Sequence, residues 1–195
     1  MSSVIPKLIF SDFDGTFFNF KEVDNKIIRH IFKNNLVVLF VDKLLWKINA
    51  LGIIGNSMTG LKLRFLLYSV LTLGIIKRQD IYSNYKNMYK NLAYKKYRRK
   101  LWIIKQLEKK EYTFIILTNN YFTCDIETEY IVYTSNKRKI LKQYIPEYLI
   151  GDNFWDDYRN CPKGTKYVNV GRGLVSKFKN VSSIKNFYEI FKVID

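Results

Sequence analysis

Histidine and cysteine are almost missing from this chain of 195 residues, which has one histidine, His30, and two cysteines, Cys124 and Cys161. Those counts exclude a disulfide scaffold, a Cys/His zinc centre and any metal site built on two histidines. Serine-histidine-aspartate chemistry would have to run through His30, which lies in an apolar stretch with Ile27, Ile28, Ile31 and Phe32 and reads as structural. Proline (3) and glycine (9) are scarce, and no linker, internal repeat or low-complexity tract divides the chain. Acid is short too: 17 Asp+Glu face 33 Lys+Arg, a formal net charge of +16, which argues for an anionic partner or surface. Long apolar runs are also lacking. The longest uncharged one, Phe65 to Ile76, has 12 residues. As a helix it would span ~18 Å against a hydrocarbon core of ~30 Å, too short to cross a bilayer yet suited to lying in its interface. The apolar run Val4 to Phe10 ends in acids, without a basic n-region or a cleavage site, and is not expected to be a signal peptide.

With 48% hydrophobic and 26% charged residues the chain has the composition of a globular protein, and its length suits one domain with a large insertion. The excess of positive charge is local. Residues 21–110 hold 20 Lys+Arg and 5 Asp+Glu, while the two flanks together hold 13 and 12. The middle also has helical texture, with apolar runs at 36–54 and 61–76, then Ile81, Tyr85, Met88, Leu92, Tyr97, Leu101 and Ile104 at steps of three to five. The flanks instead carry short β-branched and aromatic runs: Leu8-Ile9-Phe10, Thr113 to Leu117, Tyr130 to Tyr133, Tyr148 to Ile150 and Tyr167 to Val170. The expected fold class is therefore α/β: a parallel-sheet core over 1–20 and 106–195, interrupted by an all-helical insertion over 21–105.

Three of the strand-like runs end in chemistry. Phe10-Ser11-Asp12-Phe13-Asp14-Gly15-Thr16 sets two carboxylates two residues apart just past a buried strand, where Gly15 lets the backbone turn. Parallel sheets bind ligands at that edge. Phe114 to Asn120 is a strand that ends in Thr118, Asn119 and Asn120, suited to hydrogen-bonding an oxyanion. Tyr148-Leu149-Ile150-Gly151-Asp152 ends in Gly-Asp and is followed by Asp156 and Asp157. The basic run Lys137-Arg138-Lys139 lies upstream of Asp152.

Taken in order, Asp12-Phe13-Asp14-Gly15-Thr16, Thr118, Lys137 and Gly151-Asp152-Asn153-Phe154-Trp155-Asp156 resemble the signature of the haloacid dehalogenase-like (HAD-like) hydrolase superfamily. The resemblance implies a Rossmannoid core and an inserted helical C1 cap. It implies Asp12 as a nucleophile that becomes an aspartyl-phosphate, Asp14 as general acid and base, and catalytic roles for Thr118 and Lys137, with Lys139 the alternative lysine. It implies phosphate binding by Gly15, Thr16, Thr118, Asn119 and Lys137. It implies Mg²⁺ held by Asp12, Asp14, Asp152 and Asp156, with Asp157 the alternative second acid and otherwise a solvated helix-start residue.

The acid two places after the nucleophile resembles phosphatases rather than dehalogenases. The insertion looks like that of the phosphoserine-phosphatase-like (IB) branch, some members of which act on phosphatidylglycerophosphate. The expected activity is Mg²⁺-dependent phosphomonoester hydrolysis in the cytoplasm or peripherally at a membrane. A phospholipid and a soluble metabolite stand equally as substrate, and an anionic membrane surface is a candidate partner. A third reading is a non-catalytic nucleic-acid or membrane-surface binder using Tyr82, Tyr85, Tyr89, Tyr94 and the basic cluster Lys95, Lys96, Arg98, Arg99 and Lys100; the surviving chemical motifs disfavour it, and nucleic acid with it. Gly171-Arg172-Gly173 reads as a turn.

Overall fold

The computed structural model describes residues 7–48, 58–120, 122, 123, 126, 128–171, 175–178 and 181–194. Residues 49–54 of the expected helix at 36–54, Cys124, and Arg172 and Gly173 of the expected turn lie outside them.

Six parallel strands form one sheet in the order β3-β2-β1-β4-β5-β6: β1 (Lys7–Ser11), β2 (Tyr112–Thr118), β3 (Ile131–Tyr133), β4 (Tyr148–Gly151), β5 (Lys166–Val170) and β6 (Ser182–Ile184). Five correspond to the apolar runs of the flanks. The sixth has only Ile184 buried and two exposed serines, too little pattern to read. The chain order reverses direction around β1, so β1 lies between β2 and β4, with Ser11 in register with Ile116 on one side and Ile150 on the other. The ends of all three strands therefore meet at one edge, the edge at which open parallel sheets bind ligands.

The helices are α1 (Phe20–Ile31), α2 (Leu36–Lys47), α3 (Met58–Leu71), α4 (Arg78–Arg98), α5 (Leu101–Lys109) and α6 (Lys137–Gln143). The apolar run at 61–76 is thus helical only to Leu71, and 77–110 is two helices that break at Arg99-Lys100. Among the described residues no helix is long and apolar enough to cross a membrane.

The chain divides into two compact units: one of residues 1–19, 95–118 and 127–195, the other of residues 20–94 and 119–126. The first holds the sheet. Its α5 buries Ile103, Ile104 and Leu107 and packs on β2, and Phe10, Leu117, Leu141, Leu149, Tyr167 and Val175 form a core cluster. The division differs from an insertion spanning 21–105. It falls inside α4, so Lys95, Lys96, Arg98, Arg99 and Lys100 belong with the sheet, while 119–126 belongs with the helices. The reason for the second transfer is visible in that segment. Phe122 packs on the rings of Tyr82, Tyr85 and Tyr89, and Asn120 Nδ2 donates to Tyr89 Oη at 3.1 Å.

The helical unit has a polar centre. Arg64 Nη1 and Nη2 donate to the two oxygens of Asp24 at 2.7 and 2.8 Å, and Nη2 also reaches Asp42 Oδ1 at 2.5 Å. Tyr68 donates to Asp42, Tyr85 to Asp24 at 2.6 Å, and Trp46 Nε1 to Asp24 at 3.0 Å. Asp24, Asp42 and Arg64 are all buried. Burial alone would depress the Arg64 pKa, but Asp24 and its neighbours outweigh it and hold the guanidinium firmly charged.

Candidate active site

The site begins where β1 ends. The backbone N–H of Asp12 donates to the Ile150 carbonyl at 2.8 Å, carrying the β1-β4 ladder one residue past the strand. The chain then turns tightly: Phe17 N–H returns to the Phe13 carbonyl at 2.9 Å, and Asp14 bridges to Phe18. Gly15 takes φ +83°, and a Cβ built there would run into the Asp152 carboxylate. Any side chain at this position would have to displace the Asp152 carboxylate, and the positive φ would strain it besides. The residue expected to touch phosphate is thus first a spacer that lets Asp152 approach the Asp12-Asp14 turn.

Lys137 comes to the site from the first position of α6. Asn136 caps that helix through Oδ1, which accepts from Lys139 N–H at 3.1 Å, and this sets the direction of the first turn. Lys137 is buried and its Nζ donates to Asp12 Oδ1 at 2.6 Å and to Asp157 Oδ1 at 3.1 Å. Lys139, the alternative, is exposed.

Between Asp156 and Asp157 the structure corrects the first-named residue. Asp156 is exposed, and Asp157 is buried on Lys137. The cause is an Asn turn: Asn153 Oδ1 accepts from Trp155 and Asp156 N–H at 2.8 and 3.3 Å, and Asp157 Oδ2 accepts from Asn153 N–H at 3.3 Å. That turn directs Asp157 inward against Gly151, where a Cβ would lie 2.5 Å from Asp157 Oδ2. Asp157 is therefore no solvated helix-start acid.

Thr118 is buried at the end of β2, its carbonyl accepting from Thr134 N–H at 2.8 Å. Thr16 is also buried, and its hydroxyl has no hydrogen-bond partner among the described residues. Asn119 is exposed and falls in the helical unit's 119–126 segment, and His30 is exposed in the last turn of α1.

One oxygen from each of Asp12, Asp152 and Asp157 lies within 4.8 Å of the others. Three carboxylates therefore share one ammonium, with the charge of Asp14 felt at both Asp12 and Asp152. Burial raises the Asp12 pKa; Lys137 opposes this and Asp14 adds to it. Asp152 is pushed well above the carboxylate range by burial and then by Asp12 and Asp157. Burial carries Asp157 up to about 7 despite Lys137. Burial works against the Lys137 ammonium, but Asp12 and then Asp157 outweigh it, so its pKa is raised. Mutual repulsion of this kind is relieved by a divalent cation that prefers oxygen ligands, so the donor set fits Mg²⁺.

A residue the motifs did not reveal is Tyr167 on β5. Its hydroxyl is buried without a hydrogen-bond partner among the described residues, and after burial itself the charges of Asp157, Asp152 and Asp12 raise its pKa. Its register with Leu149, three residues before Asp152, was the available signal.

No protein-family model matches the chain, and no curated protein sequence matches it. Among solved structures, a haloacid dehalogenase-like family hydrolase from Xanthomonas campestris is similar, with a TM-score of 0.51 and 14% identity over 94% of this chain and 88% of that one. With its six-stranded parallel sheet and the helices beside it, the chain has the haloacid dehalogenase-like fold.

Proposed function

We propose that the protein is a Mg²⁺-dependent phosphomonoester hydrolase that works through a phosphorylated Asp12. The observation that carries the reading is the buried Asp12-Lys137-Asp157 chain with Asp152 beside it, at the converging ends of β1 and β4. A nucleophilic carboxylate must be ionised and held still. Burial disfavours ionisation of Asp12, and the 2.6 Å bond from Lys137 opposes that penalty while fixing one oxygen. Asp12 attacks phosphorus and the bond to the leaving oxygen breaks, with Asp14 giving that oxygen its proton. Asp14 then takes a proton from water, whose oxygen attacks the phosphorus on Asp12, releasing phosphate and restoring both carboxyl groups. Asp12, Asp152 and Asp157 would hold Mg²⁺, which when bound supplies positive charge against the phosphoryl oxygens. The unpartnered hydroxyl of Thr16 and the buried Thr118 are donors for the same oxygens.

The helical unit takes the role of a C1-type cap in this proposal, choosing between lipid and metabolite phosphomonoesters. Two observations weigh against a non-catalytic binder. Tyr85 and Tyr89 are buried rather than presented as stacking platforms, and Lys100 is buried, its ammonium 5.2 Å from the Tyr188 ring centroid.

The test is phosphate release from a panel of phosphomonoesters, among them p-nitrophenyl phosphate, phosphoserine and phosphatidylglycerophosphate, with Mg²⁺ and with chelator. Asp12→Asn, which keeps the shape and removes the nucleophile, should lose at least ~100-fold in turnover, ~2.7 kcal/mol of barrier. Wild-type turnover in that variant, or full activity in chelator, would overturn the reading.

A further inference from the structure

We propose that the helical unit docks on an anionic lipid bilayer through the outward faces of α2 and α3 and the turn that follows α3. The observation is a departure from the usual packing pattern. A surface helix normally buries its apolar stripe and exposes its charges. In α2 the buried face carries Asp42 beside Val38, and Leu36, Val37, Phe40 and Leu44 are exposed, Phe40 at 68%. In α3 Arg64 and Tyr68 are buried beside Leu61 and Phe65, while Leu63, Leu66 and Val70 are exposed. Asp42, Arg64 and Tyr68 bond to one another, so polar groups take up part of the buried faces of these two helices and a second set of apolar side chains is left outside.

The turn after α3 adds to this. Leu73 and Ile75 are 90% and 84% exposed, the most exposed large apolar side chains among the described residues. They are held out by a built turn rather than by a loose one. Leu73 adopts φ +53°, a left-handed conformation that leucine takes only under constraint, and Gly74 follows at φ +77°. Gly74 N–H bonds to Ser69 O at 2.9 Å, Thr72 Oγ1 to Ser69 O at 2.9 Å, and Ser69 Oγ to Ile76 O at 2.9 Å. A pre-formed apolar tip enters an interface without first losing conformational freedom.

Charge says which occupant the face suits. Residues 20–94 hold 12 Lys+Arg and 4 Asp+Glu. Two of those acids, Asp24 and Asp42, are buried on Arg64, so Glu22 and Asp80 are the acids left exposed. Lys43, Lys47 and Lys62 are exposed on the same helices as the leucines, and Lys77 and Arg78 follow the Leu73 turn directly. A second copy of this unit would bring cations against cations, whereas a bilayer rich in anionic headgroups pairs with them while its acyl region receives the apolar tips. A helix of 14 residues lies in such an interface rather than spanning it.

The proposal is independent of the phosphatase reading, and its test uses no activity. The full chain is sedimented with vesicles of phosphatidylcholine alone and of phosphatidylcholine with phosphatidylglycerol. Retention by the anionic vesicles is expected, weakening without vanishing as salt rises from about 0.05 to about 0.5 M, where the Debye length shortens to a few ångströms. Leu73→Ser/Ile75→Ser, in a turn outside the helices, should weaken binding at least tenfold with an unchanged melting midpoint. Adding Phe40→Ser and Val70→Ser should weaken it further. Lys77→Gln/Arg78→Gln should reduce the salt dependence. Failure to bind at low salt, or binding that the apolar substitutions leave untouched, overturns the proposal. So does a dimer in lipid-free solution, seen by light scattering, that those substitutions dissociate, since the face would then belong to a second copy.

Discussion

Arg64 in the helical unit and Lys137 in the sheet unit are both buried cations bonded to two carboxylates, yet their surroundings differ in kind. Around Arg64, the guanidinium fork takes both oxygens of Asp24, and Tyr68, Tyr85 and Trp46 donate to what remains. Around Lys137, a single ammonium faces Asp12 and Asp157, with Asp152 close by and the charge of Asp14 added. Hydroxyls at Thr16 and Tyr167 stay unpartnered among the described residues. The first is a closed network that locks helices together; the second keeps surplus negative charge and spare hydrogen-bonding capacity in place, which is what a site for a cation and an anionic ligand requires.

The sharpest way to break the comparison is to remove each cation. Arg64→Met should cost about 3–5 kcal/mol of stability by leaving Asp24 and Asp42 buried without their partner, while the folded fraction turns over a small phosphomonoester as before. Lys137→Met should abolish turnover at much smaller cost in stability, since carboxyl groups whose pKa is already raised can take up protons in place of the lost ammonium. Denaturant melts and initial rates on both variants check this. Equal stability losses, or turnover lost in both, would erase the distinction.

Next in size is the response to pH and cation. Asp157 has a folded pKa of about 7 against an ordinary 3.8, so the folded state holds that proton more tightly than the unfolded chain. The stability it brings is complete below about 4 and lost as pH rises through about 7. In chelator the melting midpoint should therefore rise as pH falls from 8 to about 5. Mg²⁺ should raise it at pH 8 and flatten the dependence, because the cation replaces the protons. Asp157→Asn should reduce the slope, with Asp12 and Asp152 keeping the rest of it, and Asp156→Asn, altering an exposed side chain whose charge adds only weakly to the Asp157 shift, should change it much less. A pH profile of wild type that matches that of Asp157→Asn would contradict the charge surplus.

Asp152→Asn separates stability from function more finely. It removes one of the mutually repelling acids, so stability in chelator should stay level or rise, by up to ~1–2 kcal/mol, while the Mg²⁺ concentration needed for activity increases steeply. No such trade is available at Asp42, where the corresponding Asn would remove a negative charge opposite the buried Arg64 and destabilise the helical unit.

The difference between the two sites also governs what was legible in the sequence. Asp12, Asp14, Gly15, Thr118 and Gly151-Asp152 stand at the ends of apolar runs, and period-2 strands in parallel register bring run ends to one edge. Their neighbourhood follows from local pattern alone. Asp157 was hidden because adjacent acids look alike and the choice was made by the side chain of Asn153. The Arg64 network was hidden because charges on helices ordinarily face water. The signal present was that Asp42 and Arg64 interrupt otherwise apolar stretches, and a charge on the minority face of an apolar helix is the one with reason to turn inward. Short strand β6 and the transfer of 119–126 to the helices depend on tertiary contacts of Ile184 and Phe122 that no local pattern announces.

The smallest expected effect tests spare capacity directly, through two buried tyrosines. Tyr68 donates to Asp42 and accepts from Arg64 Nε at 2.8 Å, so Tyr68→Phe leaves both partners short and should cost about 1–3 kcal/mol. Tyr167 lies in the core cluster with its ring edge-on to Tyr158, centroids 5.2 Å apart, and its hydroxyl bonds to nothing among the described residues. Tyr167→Phe keeps the packing and removes an unsatisfied polar atom, so its stability should change by less than about 1 kcal/mol and in the favourable direction. Should Tyr167→Phe instead lose stability on the scale of Tyr68→Phe, the hydroxyl must already be bonded in solution, through water or an ion, and the sheet unit would be as closed as the helical one. The same variant then reports on the site. If the hydroxyl serves the acids only when they are charged, the loss should grow as pH rises through about 7, where Asp157 ionises, and should vanish at pH 5.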